Sequence, residues 1–196
     1  MSDDNTIFRR FTVGPYPING YLIADAATRT GVFIDPGGFH DQIAEYIAQK
    51  KIDLRFIFFT HGHEDHTGGL REFLTRYKPN HCYAGRSEVV EADCILNGGE
   101  QLEVGKMHFT TFSTPGHSPG AITYYCPPRV FTGDALFCGS LGGTSDPKLA
   151  QLQIAQVRKS IFALPEGTLV YPGHGPMTTV AAEKYANPFF QSARSG

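Results

Sequence analysis

Three histidines and an aspartate fall within six residues, His61-Gly62-His63-Glu64-Asp65-His66. Imidazole and carboxylate are the donors that borderline divalent metals take. Alternate residues of an extended segment point the same way, so His61 and His63 can share one cation. Once the chain turns, Asp65 and His66 project differently and can serve a second. Asp65 could also cap a helix that follows. Three imidazoles this close repel one another when protonated, and a cation is a natural reason to gather them.

Four donors do not satisfy two cations, and three downstream segments offer more. They are Thr114-Pro115-Gly116-His117-Ser118-Pro119-Gly120, Phe131-Thr132-Gly133-Asp134 and Tyr171-Pro172-Gly173-His174-Gly175-Pro176. Each follows a strand-like run and sets its donor beside glycine, which lets the backbone come close to an ion or substrate. The expected metal set is therefore His61, His63, Asp65, His66, His117, Asp134 and His174. His40, His81 and His108 lack such a setting and read as ordinary surface or core residues.

Elements must position these groups. Residues 7–13, 21–24 and 30–34 are rich in aromatic and β-branched types and read as strands. Gly14-Pro15-Tyr16-Pro17 forces a turn after the first, and Asp35-Pro36-Gly37-Gly38 ends the third. Ile43 and Ile47, with Ala44 and Ala48 beside them, give a helical stripe over 41–51. The apolar run 54–60 reads as a strand covered on both faces, and the His61 cluster begins where it ends. Further helices are expected over 69–77, 87–93, 147–163 and 180–186. Further strands are expected near Cys82 and over 106–112, 121–126, 130–132 and 169–171. The 147–163 helix should bury Leu149, Leu152, Ile154, Val157 and Ile161, with Ser145 or Asp146 capping Pro147. Strand runs come in groups between helices, which suggests sheets sandwiched by helices.

The 196 residues suit one domain. A formal net charge of -2 gives no global attraction to nucleic acid. The start is polar, with Asp3 and Asp4, and is not a secretory signal. The densest apolar run, 54–59, carries Arg55 and is too short to span a bilayer. The expectation is a soluble, cytoplasmic protein with no membrane partner. Cys82, Cys94, Cys126 and Cys138 form no CxxC pair, so reduced thiols acting as small core residues are expected, Cys138 being nearest the metal motifs.

The run Thr60-His61-Gly62-His63-Glu64-Asp65-His66-Thr67-Gly68-Gly69 resembles the signature of the metallo-β-lactamase superfamily. Pro115-Gly116-His117-Ser118, Gly133-Asp134 and Pro172-Gly173-His174-Gly175 resemble its later motifs, in the same order over nearly the whole chain. The resemblance implies an αββα sandwich with the site at one edge between two mixed sheets. It implies that His61, His63 and His117 hold one metal, that Asp65, His66 and His174 hold the other, and that Asp134 bridges them. Zinc is the default for these donors, and iron or manganese fits the same set.

Within the superfamily the chain is most similar to the glyoxalase II (hydroxyacylglutathione hydrolase) branch. Gly133-Asp134-Ala135-Leu136-Phe137, Gly139-Ser140-Leu141-Gly142-Gly143-Thr144 and the stretch from Tyr171 through Glu183-Lys184 to Asn187-Pro188-Phe189 carry that likeness. Only a short tail follows His174, so the likeness does not extend to the helical glutathione-binding domain of full-length members. Gly143 stands where that branch usually carries a basic residue. The resemblance implies a dinuclear thioesterase using a hydroxide shared between two metals, with a small-molecule acyl thioester as substrate. Asp65 and Asp134 would be its catalytic carboxylates; no acid for a leaving group is evident apart from Asp65, which is committed to metal, and this favours thioesters over amides. A persulfide dioxygenase with one iron, or a lactonase, would use similar residues. Tyr16, Phe137 and Leu141 are pocket-lining candidates.

Overall fold

The computed structural model describes residues 5–14, 17–89 and 91–191. The first sheet starts with β1 (Thr6–Val13) and β2 (Ile18–Asp25), paired antiparallel so that Val13 faces Ile18. β3 (Thr30–Ile34) pairs antiparallel with β2 and parallel with β4 (Asp53–Phe58), after a crossover through α1 (Asp41–Lys50). The chain then passes through α2 (Glu64–Thr67) and α3 (Leu70–Tyr77) to β5 (His81–Gly85) and β6 (Cys94–Leu96), both parallel additions. The second sheet is a meander of β7 (Gln101–Val104), β8 (Met107–Ser113), β9 (Ile122–Cys126) and β10 (Arg129–Gly133). A crossover through α4 (Pro147–Ser160) adds β11 (Leu169–Pro172) parallel to β10, and β12 (Thr178–Thr179) leads into α5 (Val180–Ala186).

Three apolar clusters make four layers of these elements. Leu22 and Ala24 of β2 pack with Ile43 and Ile47 of α1 and with Leu70 and Phe73 of α3. The alternate residues Tyr21 and Ile23 join Phe58 of β4 against Phe109, Tyr124 and Phe131 of the second sheet. Period-two alternation thus gives β2 one face for helices and one for the opposite sheet. On the far side, Val157 of α4 and Val180 of α5 cover Val130 and Val170. A fully buried side chain such as Phe73 contributes about 1.5–3 kcal/mol relative to exposure. Helices therefore flank two mixed six-stranded sheets, as the resemblance implied.

Some expectations need correction. The helix expected over 87–93 is absent among the described residues: the segment turns at 86–88, Ser87 takes a positive φ of 62°, and β6 follows. The strand read at 21–24 starts earlier, at Ile18. The short strands β6, β7 and β12 were not expected. On α4, Leu149 and Leu152 are exposed while Gln153 is fully buried, so the helix is turned from its apolar stripe toward a polar task. Asp146 is its cap, accepting from the Lys148 N–H. Cys82 and Cys126 are buried, Cys94 is half-buried and Cys138 is exposed. Among the described residues no helix is long and apolar enough to cross a membrane.

One buried carboxylate joins the two sheets. Asp25 accepts from the backbone N–H groups of Ala27, Thr28 and Lys106, the last in the β7–β8 turn. Burial alone would raise its pKa, but these three donors outweigh it and hold it below the usual carboxylate value. A group depressed in the folded state stabilises the fold above its unfolded pKa, and that contribution is lost as pH falls through the folded value. In Asp25→Asn the amide presents donors to donors. The expected loss at neutral pH is on the order of 1–3 kcal/mol, shrinking toward zero in acid. Urea midpoints across the acid range check this, and a deficit independent of pH would contradict it.

Candidate metal centre

Every expected ligand comes to one edge of the sandwich. The loop after β4 delivers His61 and His63, and α2 delivers Asp65 and His66. The second sheet sends His117 from the β8–β9 turn, Asp134 from the end of β10 and His174 from the end of β11. Three overlapping donor groups result: His61, His63 and His117; His61, His66 and Asp134; Asp65, His66 and His174. Within each, the donor atoms lie within 4.8 Å of one another. His117 Nε2 lies 3.0 Å from His63 Nδ1, and His174 Nε2 lies 3.1 Å from Asp65 Oδ2. Asp134 stands between the groups, with Oδ1 3.3 Å from His66 Nε2 and Oδ2 3.5 Å from His117 Nε2.

The rings are aimed from behind. His117 Nδ1 donates to the Gly143 carbonyl at 2.6 Å, and His174 Nδ1 donates to the Pro17 carbonyl at 3.1 Å. A carbonyl can only accept, so the proton sits on Nδ1 and the Nε2 lone pair faces the centre. His66 Nδ1 meets Asp35 Oδ2 at 2.9 Å. The Thr60 hydroxyl donates to the same oxygen at 2.7 Å, which leaves it to accept from His61 Nδ1 at 3.1 Å. Such contacts behind imidazoles fix tautomer and orientation for a metal.

The donor set fits a cation. His61 Nε2 is buried with no hydrogen-bond partner, and the buried His66 Nε2 and Asp134 Oδ1 have only each other, at 3.3 Å. One orphan such as His61 Nε2 costs about 1–3 kcal/mol, and donor atoms of the three residues lie within 4.8 Å of one another. Burial, with His66 beside it, pushes His61 down to about 2, which keeps its ring neutral and able to ligate. Burial works against a charged His66, but Asp35 and Asp134 outweigh it and raise the group to about 10. Burial would raise Asp134, yet the surrounding His66, His61 and His174 hold it below the ordinary carboxylate value. In the metal-free protein one proton thus does part of a cation's work, and a metal at His66 must displace it.

Four supporting residues escaped the sequence reading. Asp35, in the turn after β3, orients His66 and Thr60. Asn19 donates to the Pro172 and Gly175 carbonyls and so pins the His174 loop to β2. Gln153 donates to the Asp134 and Ala135 carbonyls. Glu88 reaches two ligand loops at once. A polar residue inside an apolar helical stripe was the available signal for Gln153; the others have none over such separations. Gly173 has a steric reason: a Cβ there would sit 2.4 Å from Asp134 Oδ1 and 2.6 Å from His66 Cε1.

His40 and His108 lie apart from the centre. His81 joins Asp93 and Cys94 in a separate exposed group closed by its own bonds, with Nδ1 2.9 Å from Asp93 Oδ2 while Asp93 Oδ1 accepts from the Cys82 N–H. Phe137 stands at the rim, its ring 5.9 Å from that of His174. Leu141 packs instead on the α4–α5 core. Tyr16 lies outside the described residues.

Two mixed sheets between helices, with a His/Asp cluster on one edge, define an αββα sandwich carrying a metal-type site. Residues 13–174 match the family model described as the metallo-beta-lactamase superfamily, and the chain belongs to that superfamily. It is similar to "Probable metallo-hydrolase YqgX" of Bacillus subtilis, 34% identical across 93% of this chain and 96% of the relative. It is 29% identical to the hydroxyacylglutathione hydrolase GloC of Haemophilus influenzae, across 84% and 89%. Among solved structures, BLEG-1 B3 metallo-beta-lactamase superposes with a TM-score of 0.84 at 29% identity, covering 95% of this chain and all of that one. ETHE1 from Myxococcus xanthus gives 0.80 at 33%, covering 93% and 83%. TTHA1623 in a di-iron-bound form gives 0.77 at 29%, covering 92% and 99%.

Proposed function

We propose that the chain is a two-metal thioester hydrolase of the hydroxyacylglutathione hydrolase kind, acting on a small acyl thioester. The observation that carries this reading is the placement of Asp134 between a three-histidine group and an Asp65–His66–His174 group. His61, His63 and His117 would hold one divalent ion, Asp65, His66 and His174 the other, and Asp134 would touch both. Bound in pairs, such ions lower the pKa of water and polarise a carbonyl. The chain's own part is orientation: Gly143, Pro17, Asp35 and Thr60 hold four rings with Nε2 inward. Asp65, with Oδ2 3.1 Å from His174 Nε2, would be taken up as a ligand rather than left as a proton donor. A thiolate leaves without protonation whereas an amide nitrogen needs a proton, so this arrangement suits thioesters. GloC supplies the parallel in name.

A panel of acyl thioesters, followed by loss of thioester absorbance, tests the reading. Turnover is expected with at least one member, abolished by a chelator and restored by added Zn2+, Fe2+ or Mn2+. No turnover across the panel by metal-loaded protein would end it. The likeness to ETHE1 supports a second reading, a persulfide-dioxygenase-like oxidoreductase with one iron. Oxygen uptake with glutathione persulfide, together with one iron per chain, would establish that alternative.

A further inference from the structure

We propose that Glu88 is the positioning residue of the three-histidine site. Its single carboxylate ties the His61–His63 loop to the His117 loop and so sets that site's cation affinity independently of its neighbour. The inference rests on the two-metal reading above.

Glu88 Oε2 accepts from the Gly62 N–H at 2.8 Å, and Gly62 is the residue between His61 and His63. Glu88 Oε1 accepts from the Gly120 N–H at 2.6 Å and from the Ser118 hydroxyl. Ser118 directly follows His117 and is only 3% exposed, so Glu88 is the acceptor that its buried hydroxyl needs. The backbone makes the same wedge. A Cβ on Gly62 would lie 1.8 Å from the Glu88 carbonyl oxygen, and one on Gly120 would lie 2.8 Å from Glu88 Cγ. A Cβ on Gly85 would meet the Gly120 carbonyl at 1.7 Å. Residues 85–88 therefore lie between the loops with no room for a side chain at Gly62 or Gly120.

The partners are selective. The rings of the other group lean on different acceptors, His66 on Asp35 and His174 on the Pro17 carbonyl. None of the Glu88 bonds reaches them. Loss of the carboxylate should let the His61–His63 loop and the His117 loop drift relative to each other while leaving Asp65, His66 and His174 in place.

Glu88→Gln tests this at nearly constant shape. An amide has one accepting oxygen, so its NH2 must face either the Gly62 or the Gly120 N–H, donor against donor. Metal-free wild type, E88Q and H63A are titrated with Co2+, read by visible absorbance and metal content, and the metal-free forms are melted. H63A lacks one donor of the three-histidine group alone. In wild type, two equivalents are expected. In E88Q one equivalent should bind as in wild type and the other about 10–100-fold more weakly. The singly loaded E88Q spectrum should match that of H63A, and the metal-free melting point should fall by only a few degrees, the scale of one donor-against-donor contact. Ser118→Ala, which removes one bond only, should weaken the same equivalent less.

Two equivalents at wild-type affinity in E88Q would overturn the assignment. So would equal weakening of both equivalents. Wild type that binds a single ion fails the two-metal reading, and Glu88 then keeps its role only if E88Q weakens that ion as H63A does.

Discussion

Asp134→Ala is expected to lose most of its bound metal and to fall in turnover by roughly a thousandfold or more, the scale of several kcal/mol of lost transition-state stabilisation. The carboxylate faces both donor sets, 3.3 Å from His66 and 3.5 Å from His117. The substitution is interpretable because the loop is not held by that side chain. The Asp134 carbonyl accepts from the Gly142 N–H at 3.0 Å and from Gln153 Nε2 at 3.0 Å, and both bonds survive truncation. Metal content per chain and initial rates should therefore fall together, with secondary structure unchanged. A variant that keeps two ions and full activity would remove Asp134 from the mechanism.

Asp35→Ala is expected to combine a stability defect with a metal defect. Asp35 is 1% exposed, and its carboxylate accepts from the Thr60 N–H and hydroxyl, each at 2.7 Å, and pairs with His66. Truncation leaves a buried donor set without an acceptor and a charged ring without its partner, a loss of about 3–5 kcal/mol. It also frees the ring behind its metal-facing nitrogen, worth about 10–100-fold in affinity. Asp35 has a φ of 53°, which aspartate and asparagine tolerate better than alanine, so Asp35→Asn separates the carboxylate's role from backbone strain. Urea unfolding of the metal-free proteins and their metal content report the two effects. An Asp35→Asn protein as stable as wild type, with full metal, would contradict both.

The candidate ligands were legible from pattern alone: His61, His117, Asp134 and His174 each follow a strand and sit beside glycine, and His63, Asp65 and His66 cluster directly behind His61. The strands and helices around them were legible from period, since each buries one face or both. What the sequence concealed acts across distance. Asp35 serves His66 from 31 residues away, and Glu88 serves Gly120 from 32. Composition around Glu88 suggested a helix, but tertiary bonds to two loops override local propensity. On α4 the apolar stripe pointed to Leu149 and Leu152, while the demand of the Asp134 carbonyl for a donor turned Gln153 inward instead. Strands of two to four residues such as β12, β6 and β7 are too short to carry a period.

The candidate ligands divide by origin: four follow strands of the first sheet and three follow strands of the second. Cations held among them would act as a clasp across the seam of the sandwich. Their grip adds to folding stability by mass action, about 2.7 kcal/mol at a hundred times the dissociation constant. Starvation for metal would then unfasten the two halves first at this rim, while the aromatic interior between Tyr21, Phe58, Tyr124 and Phe131 stays shut.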